Sequence, residues 1–316
     1  MLIKRKPGKS GNIIATIAIG DKYIDSWEKY AFPLWLKYCE RHDIGLIVFT
    51  ENLISTGHKN WKKATWQKLL IGDYLKNNGQ SDVRNICYID TDILINPFAP
   101  SIFEHHDEEY ISLVSKKYNL PYSCKEETLK KHIAFNRNSY YSKDYPLDSS
   151  LFISLNDLYG YHGMSPQKDE ACMGLIVFNL NKFSSIMKVW FLKYDKDVES
   201  ITNNGDQTHL NFEIQNHGKV KWLDYRFQAL WVYEMAIKYP FLYELKDEAD
   251  VSVVKSIQAS LETNYFLHFA GSWHESNMWM TDGIIEKNFL IKLNELYEYH
   301  ELPVGGKPIG MIAPKD

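Results

Sequence analysis

Cysteine is scarce and scattered: Cys39, Cys87, Cys124 and Cys172 are the only four in 316 residues, and no two form a Cys-x-x-Cys pair. That spacing suggests neither a zinc site nor a disulfide framework, and it fits a reducing compartment. No run of about 18 or more apolar residues occurs, so no transmembrane anchor is expected. The opening stretch MLIKRKPGKSGN is basic but lacks the apolar segment of a signal peptide, and no asparagine stands in an Asn-x-Ser/Thr sequon. These absences lead us to expect a soluble, cytoplasmic protein. Excess positive charge is missing too: 36 Lys and Arg against 40 Asp and Glu leave a formal net charge of −4. A general nucleic-acid binder needs a broad basic surface for phosphate, so that class is disfavoured. Neither an internal repeat nor a Pro/Gly/Ser-rich linker is present.

What is there is a core-forming sequence, 45% apolar and 24% charged. The aromatic content of 14%, with nine Trp and 21 Tyr, reads mostly as core packing, although flat ring faces also suit the C–H faces of sugars. Residues 1–11 read as a flexible basic arm. Gly8-Lys9-Ser10 within it invites a phosphate-loop reading, but Ile3 stands where the first glycine is needed and no strand precedes it.

From residue 12 onward short apolar runs alternate with helical stretches, the pattern of a mainly parallel sheet with crossover helices, an α/β fold. Strand signals lie at 12–19, 45–50, 85–89, 174–180, 220–227 and 266–269. Helical periodicity marks 24–41, interrupted at Pro33, then 61–76, 182–194, 206–216 and 284–298. Residues 116–166 are polar and rich in Tyr and Ser, and read as a long loop or lid. One domain over 12–280, followed by a helix and tail at 281–316, is the simplest organisation.

The segment Tyr88-Ile89-Asp90-Thr91-Asp92-Ile93-Leu94-Ile95 carries the chemistry. Asp90 and Asp92 stand two residues apart at the carboxyl end of a buried strand, where open α/β sheets bind ligands. Two such carboxylates can hold a hard divalent cation, and a cation neutralises a diphosphate leaving group. An Asp pair capping a turn is the bland alternative. A haloacid-dehalogenase phosphatase also uses Asp-x-Asp, but after its first strand and with Thr or Val where Leu94 stands here.

With its flanking runs, the segment resembles the Asp-x-Asp strand of GT-A glycosyltransferases, closest in pattern to glycosyltransferase family 8 and its retaining relatives. The likeness spans roughly residues 12–280 through four short motifs in order. It implies a Rossmann-like GT-A fold, a nucleotide-sugar donor (a UDP-sugar favoured), a glycan or glycoconjugate acceptor and Mn²⁺ or Mg²⁺ as cofactor. Ala18, Ile19, Gly20 and Tyr23, at the end of the first strand in Ala15-Thr16-Ile17-Ala18-Ile19-Gly20-Asp21-Lys22-Tyr23, then face the nucleotide. Family members often carry an acidic residue near Gly20. Lys68, in Thr65-Trp66-Gln67-Lys68-Leu69-Leu70, matches a cation that meets the donor, and Thr91 sits between the paired carboxylates. Cys172-Met173-Gly174-Leu175 resembles the family's Asn-Ala-Gly strand, with Cys172 in place of the usual Asn at the sugar pocket. Gly205-Asp206-Gln207, with Asn211 beyond it, resembles the family's Asp-Gln, whose side chains bond sugar hydroxyls and approach the anomeric carbon; an Asp opening a helix as its cap is compatible with that. His268-Phe269-Ala270-Gly271-Ser272-Trp273-His274 resembles His-x-x-Gly-x-x-Lys, which implies His268 as third metal ligand and places Gly271 and His274 near the diphosphate.

The resemblance implies retention, with front-face attack as the default. An inverting enzyme needs a carboxylate base, for which Asp169 and Glu170 are candidates. Trp273 is a candidate for stacking on the acceptor, whereas Trp222 reads as core. Two other classes stay open. A sugar-nucleotide-forming nucleotidyltransferase usually carries a Gly-rich, Lys/Arg-containing loop after its first strand, which Gly20-Asp21-Lys22-Tyr23 lacks. A non-catalytic carbohydrate-binding protein would keep the aromatics without needing Asp90, Asp92 and His268 together.

Overall fold

A computed structural model describes residues 1–80, 82–118, 120–141, 153–202, 205–245 and 251–299. Among the described residues ten strands run in chain order: β1 Leu2–Arg5, β2 Asn12–Ile17, β3 Gly45–Phe49, β4 Asn85–Ile89, β5 Ile93–Ile95, β6 Ile111–Val114, β7 Leu175–Asn179, β8 Val220–Leu223, β9 Ala229–Leu230 and β10 Phe266–His268. Seven of them form the central sheet in the order β1-β3-β2-β4-β7-β6-β8. In it β2, β3, β4, β6 and β8 point one way, and β1 and β7 the other. The expected mainly parallel α/β architecture is therefore present.

Both faces of this sheet are buried, so its strands read as continuous apolar runs rather than alternating ones. The alternation survives in which face each side chain covers. Ile13, Ala15, Ile47, Phe49, Ile86, Tyr88, Ile176 and Phe178 join one core with Trp66, Leu69, Phe183 and Leu210. Ile14, Leu46, Val48, Cys87, Ile89, Leu175 and Val177 join the other with Trp27, Trp35, Tyr38, Trp231 and Ile257. A fully buried Leu, Ile or Val contributes about 1.5–3 kcal/mol, so both layers of helices are held by the sheet itself. Among the described residues no helix is long and apolar enough to cross a membrane.

Several local expectations are corrected. The stretch read as a flexible arm contains β1, which pairs antiparallel with β3 and covers that edge of the sheet. Its basic side chains are engaged: Arg5 reaches Asp43 at 2.8 Å and Lys4 reaches Glu28 at 2.6 Å. The helical stretch read as interrupted at Pro33 keeps that interruption in a milder form: the α-helix Asp21–Ser26 passes into a π turn at Trp27–Ala31, and Pro33, which has no N–H to donate, stands at the start of the α-helix Phe32–Arg41. The run 61–76 is not one helix; a 3₁₀ turn at Lys68–Leu70 divides Ala64–Gln67 from Ile71–Asn77. The expected loop at 116–166 contains the helices Glu126–Tyr140 and Leu155–Tyr161, while its residues 142–152 lie outside the described residues. The strand expected over 220–227 ends at Leu223, because Asp224 accepts from the Arg226 backbone N–H and opens a 3₁₀ turn. Of the C-terminal segment, the helix Lys287–Glu298 is present, and residues 300–316 lie outside the described residues.

A second, three-stranded sheet, β5-β10-β9, stands at the carboxyl edge of β4. β5 runs antiparallel to β10 with Ile93 opposite His268, and β9 runs parallel to β10 with Leu230 opposite His268.

One buried cation fastens a helix to the loop that precedes residue 64. Lys62 is fully buried and donates to the carbonyls of Asn60 at 3.0 Å, Phe191 at 2.9 Å and Tyr194 at 2.6 Å, closing the end of the helix Leu180–Lys193. Lys62→Met keeps the apolar stem and takes this donor from the Asn60 and Phe191 carbonyls, while the Tyr194 carbonyl keeps the Asn60 side-chain amide at 3.3 Å. We expect a stability loss of about 2–3 kcal/mol in chemical denaturation, the cost of unmet buried acceptors.

Candidate metal centre

β4 ends at Ile89, and the Asp90 N–H donates to the Gly174 carbonyl at 2.9 Å, pinning the first carboxylate at the strand's exit. The chain turns at Thr91 and enters β5, which lies beside β10; the Phe269 N–H donates to the Asp92 carbonyl at 3.1 Å. Two sheets thus meet where the second carboxylate and the imidazole emerge. One ligand atom each from Asp90, Asp92 and His268 lies within 4.8 Å of the others. His268 Nε2 stands 3.3 Å from Asp92 Oδ1 and 3.9 Å from Asp90 Oδ2. The ring is 1% exposed, while the Asp90 and Asp92 side chains are 31% and 27% exposed. A cation held here would have protein on one side and solvent-facing positions on the other.

Three observations fit a hard divalent ion. The donor set is two carboxylates and one imidazole, suited to Mn²⁺ or Mg²⁺. Asp92 Oδ1 is buried and receives no hydrogen bond. Gly174 leaves the room: a Cβ there would come within 2.3 Å of His268 Cε1 and 2.7 Å of Asp90 Oδ2. Electrostatics point the same way. Burial works against a charged ring, but the Cys172 sulfur and the Asp92 carboxylate outweigh it and raise His268 well above the ordinary histidine range.

Behind Asp90 lies a buried polar chain. Tyr88, two residues earlier on the strand, donates its hydroxyl to Asp90 Oδ1 at 2.5 Å. The Lys68 ammonium lies 4.9 Å from the Tyr88 ring centre, donates to the Met173 carbonyl at 2.5 Å and pairs with Asp206 Oδ2 at 2.8 Å. Lys68 and Asp206 are 1% and 4% exposed, so the ammonium expected to meet the donor is turned to protein groups. Burial disfavours its charge, yet Asp206 and Asp90 raise Lys68 above its ordinary value. Asp206 is spent on this pair and makes no side-chain cap for the helix Gln207–His217.

One residue on, the Gln207 amide donates to Glu170 Oε1 at 2.7 Å, and Lys116 meets Glu170 Oε2 at 3.2 Å. Asp169 accepts from the Ser115 hydroxyl at 2.8 Å and from the Glu170 N–H at 2.7 Å, and burial raises its pKa above the usual carboxylate range. Both carboxylates considered as bases therefore already hold protein donors. Asn211 bonds both the N–H and the carbonyl of Ala171, at 2.8 and 2.9 Å, which fixes the approach to Cys172.

Most of the remaining sequence-derived residues lie on the chain leaving β2 and on the chain leaving β10. β2 pairs in parallel with β4, Ala15 opposite Tyr88, so both strands release their chains at one end of the sheet. Beyond β2, Ala18 is buried, Ile19 half-buried, and Gly20 exposed at φ 94° with nothing near a Cβ; Tyr23 is 61% exposed. Thr91 and His274 are half-buried. Gly271 adopts φ 111°, a left-handed turn that favours glycine. Cys172 is buried, its sulfur 3.6 Å from His268 Nδ1. Trp273, considered for acceptor stacking, is instead 3% exposed, packed against the Arg137 guanidinium at 4.1 Å and the Tyr141 ring at 6.1 Å. A buried pair of Arg137 and Glu275, at 2.6 Å, ties the helix Glu126–Tyr140 to this loop. Trp222, read as core, is half-buried and lines a cavity of about 490 Å³ with Ser115, Asp169 and Gln215.

Sequence reasoning left Tyr88, Gly174 and Gln228 out of the site. Tyr88 was findable, since residues two apart on a strand share a face. Gly174 lay inside a motif, but its steric role needs the distant His268 in place. Gln228, whose amide nitrogen is 3.1 Å from His268 Nδ1, carries no local signal.

Two outcomes test this geometry. Gly174→Ala should displace His268 or Asp90 and weaken Mn²⁺ binding roughly 10- to 100-fold, the scale for disturbing a ligand's support, as followed by metal titration. Lys68→Met should cost about 3–5 kcal/mol in denaturation by leaving Asp206 buried without its counter-ion, and Lys68→Met with Asp206→Asn should recover a large part of that loss.

No protein-family profile matches this chain, and no curated protein matches it. Solved structures do align with it. One is a glycosyltransferase involved in glycosylation of the major capsid of PBCV-1, at 11% identity over 85% of this chain and 98% of that one, with a TM-score of 0.48. A second is an active-site mutant of LgtC, at 13% identity over 90% and 94% of the two chains, with a TM-score of 0.46. A third is the glycosyltransferase GlyE of Streptococcus pneumoniae TIGR4, at 14% identity over 90% of this chain and 63% of that one, with a TM-score of 0.44.

Proposed function

We propose that this chain is a metal-dependent glycosyltransferase of the GT-A kind, moving a sugar from a nucleotide-diphosphate donor, a UDP-sugar favoured, to an acceptor hydroxyl. The observation that carries the reading is the convergence of Asp90, Asp92 and His268 within 4.8 Å at the carboxyl end of β4. Asp90, Asp92 and His268 Nε2 would hold a divalent cation, Mn²⁺ or Mg²⁺. That ion would supply Lewis-acid neutralisation of the departing diphosphate.

The protein's own groups do the rest. Tyr88 fixes one face of Asp90, leaving the other carboxylate oxygen toward His268. Tyr23, exposed beyond the end of β2, offers a ring face for a nucleobase, and the open space at Gly20 admits close approach. Glu170 accepts from the Gln207 amide nitrogen, which frees the Gln207 oxygen to face the sugar. Asp206, held by Lys68, anchors the start of the same helix. Engagement of Asp169 and Glu170 by Ser115, Lys116 and Gln207 disfavours either as an inverting base and supports retention, with the acceptor attacking from the leaving-group face.

Thermal-shift titration with UDP, GDP, CMP and dTDP, each with and without Mn²⁺, tests the proposal. We expect UDP with Mn²⁺ to raise Tm. At ligand about 100 times Kd the stabilisation is about 2.7 kcal/mol. Asp90→Asn and Asp92→Asn should abolish the Mn²⁺-dependent part. Equal stabilisation with and without metal, or none by any nucleotide, sinks the assignment.

A further inference from the structure

An imidazole that binds a metal through Nε2 must carry its proton on Nδ1, and that proton needs an acceptor. The only nitrogen of His268 facing the carboxylates is Nε2, at 3.3 Å from Asp92 and 3.9 Å from Asp90. Nδ1 points the other way, into protein, where two groups meet it: the Gln228 side-chain amide at 3.1 Å and the Cys172 sulfur at 3.6 Å. Sulfur is a weak acceptor, so the amide decides the tautomer.

We infer that Gln228 is a positioning residue of the metal centre: its side-chain oxygen accepts the Nδ1 proton of His268 and so keeps Nε2 bare toward Asp90 and Asp92. This rests on the metal reading above and adds a residue to it. The fold holds the two side chains in fixed relation. Gln228 closes the 3₁₀ turn Tyr225–Gln228 and leads directly into β9, which pairs in parallel with β10 so that Ala229 stands opposite Leu267 and Leu230 opposite His268. Gln228 and His268 are each 1% exposed, so the pair is shielded from bulk solvent.

The amide also has an unmet group. With its nitrogen toward Nδ1, Gln228 Oε1 is buried without a hydrogen bond. The amide's nitrogen and oxygen exchange places by a half-turn about the last side-chain bond. Nitrogen toward Nδ1 requires a bare Nδ1 and the proton on Nε2, pointing at Asp92, and fits neither a metal-bound ring nor a doubly protonated one. Oxygen toward Nδ1 requires the proton on Nδ1 and presents a lone pair between the carboxylates. Each amide orientation thus selects one ring tautomer, and metal binding selects the second.

The test uses the full chain as wild type, Gln228→Met and Gln228→Glu. Mn²⁺ affinity is measured by electron paramagnetic resonance of the free ion, and the His268 tautomer by ¹⁵N shifts with Mg²⁺ added. We expect Mg²⁺-loaded wild type to carry its proton on Nδ1. Gln228→Met, similar in length but lacking a good acceptor, should bind Mn²⁺ roughly 10- to 100-fold more weakly. Gln228→Glu, a stronger acceptor, should restore at least wild-type affinity, which a merely packing role would not give. Wild-type affinity in Gln228→Met overturns the inference and leaves the metal reading standing, whereas a proton on Nε2 in the loaded wild type removes His268 from the metal site and the inference with it. Failure of Gln228→Glu to exceed Gln228→Met also overturns it. Absence of Mn²⁺ binding by the wild type removes the metal reading itself, and this inference with it. Should Gln228→Met unfold, the comparison of Gln228→Glu with wild type decides: weaker Mn²⁺ binding by Gln228→Glu overturns the inference.

Discussion

Two carboxylates held against one imidazole repel each other, and this repulsion organises the centre of the molecule. At about 4 Å and an effective dielectric of about 20, like unit charges cost about 4 kcal/mol. The hydrogen bond from Tyr88 to Asp90 offsets roughly 1.5–3 kcal/mol of that at most, as a bond to a charged acceptor. A balance needs positive charge between the oxygens, either on His268 or on a bound ion. Burial disfavours a charged His268 ring, yet Cys172 and Asp92 raise it above its ordinary range, and a divalent cation held there would meet the same need. Gly174 makes the closeness possible, because any side chain there would wedge the ring and Asp90 apart.

The second half of the chain exists in service of that contact. β4 alone could deliver Asp90, but Asp92 and His268 are aligned by β5 and β10, and His268 is backed by β9. This small sheet is set against the large one by the core that includes Ile93, Leu94, Ile95, Phe266 and Leu267. The Trp35 indole, on the helix beside it, donates to the Ile93 carbonyl at 2.7 Å and ties the turn after Asp92 to the first layer of helices. The loop beyond His268 is fixed in turn by the buried pair of Arg137 and Glu275 and by Trp273 packed between Arg137 and Tyr141.

How much of this was legible depended on the range of the signal. Strands β2, β3, β4 and β7 are short apolar runs between turn residues, and their existence followed from the sequence within a residue or two. β1 was missed because LIKR has no apolar periodicity; its place is set by the free edge of β3, a non-local fact. The helix Glu126–Tyr140 was missed because most of its residues are polar and only Leu129, Ile133 and Arg137 are buried along it. In the site, Asp90, Asp92 and His268 were named because their types and order matched a familiar pattern. The partners of those residues were not. Lys68 looks the same in sequence whether it faces a ligand or a buried Asp206, and only the fold decides. Trp273 likewise reads as a free ring until Arg137, more than a hundred residues away in the chain, is laid across it.

In the proposed reaction, this distribution of charge settles which groups can act on the donor. The Lys68 ammonium is shared between Asp206 and the Met173 carbonyl and is nearly inaccessible, so it stiffens the wall behind Asp90 instead of touching a diphosphate. Position 274, where the related pattern has a lysine, is a half-buried histidine whose ring packs edge-on to Tyr141. With those two cations withdrawn or weakened, neutralising a leaving diphosphate would fall chiefly to an ion held between Asp90, Asp92 and His268. The precision with which His268 is aimed, and hence the tautomer set from behind by Gln228, then bears on the chemistry more directly than any surface charge near the cleft.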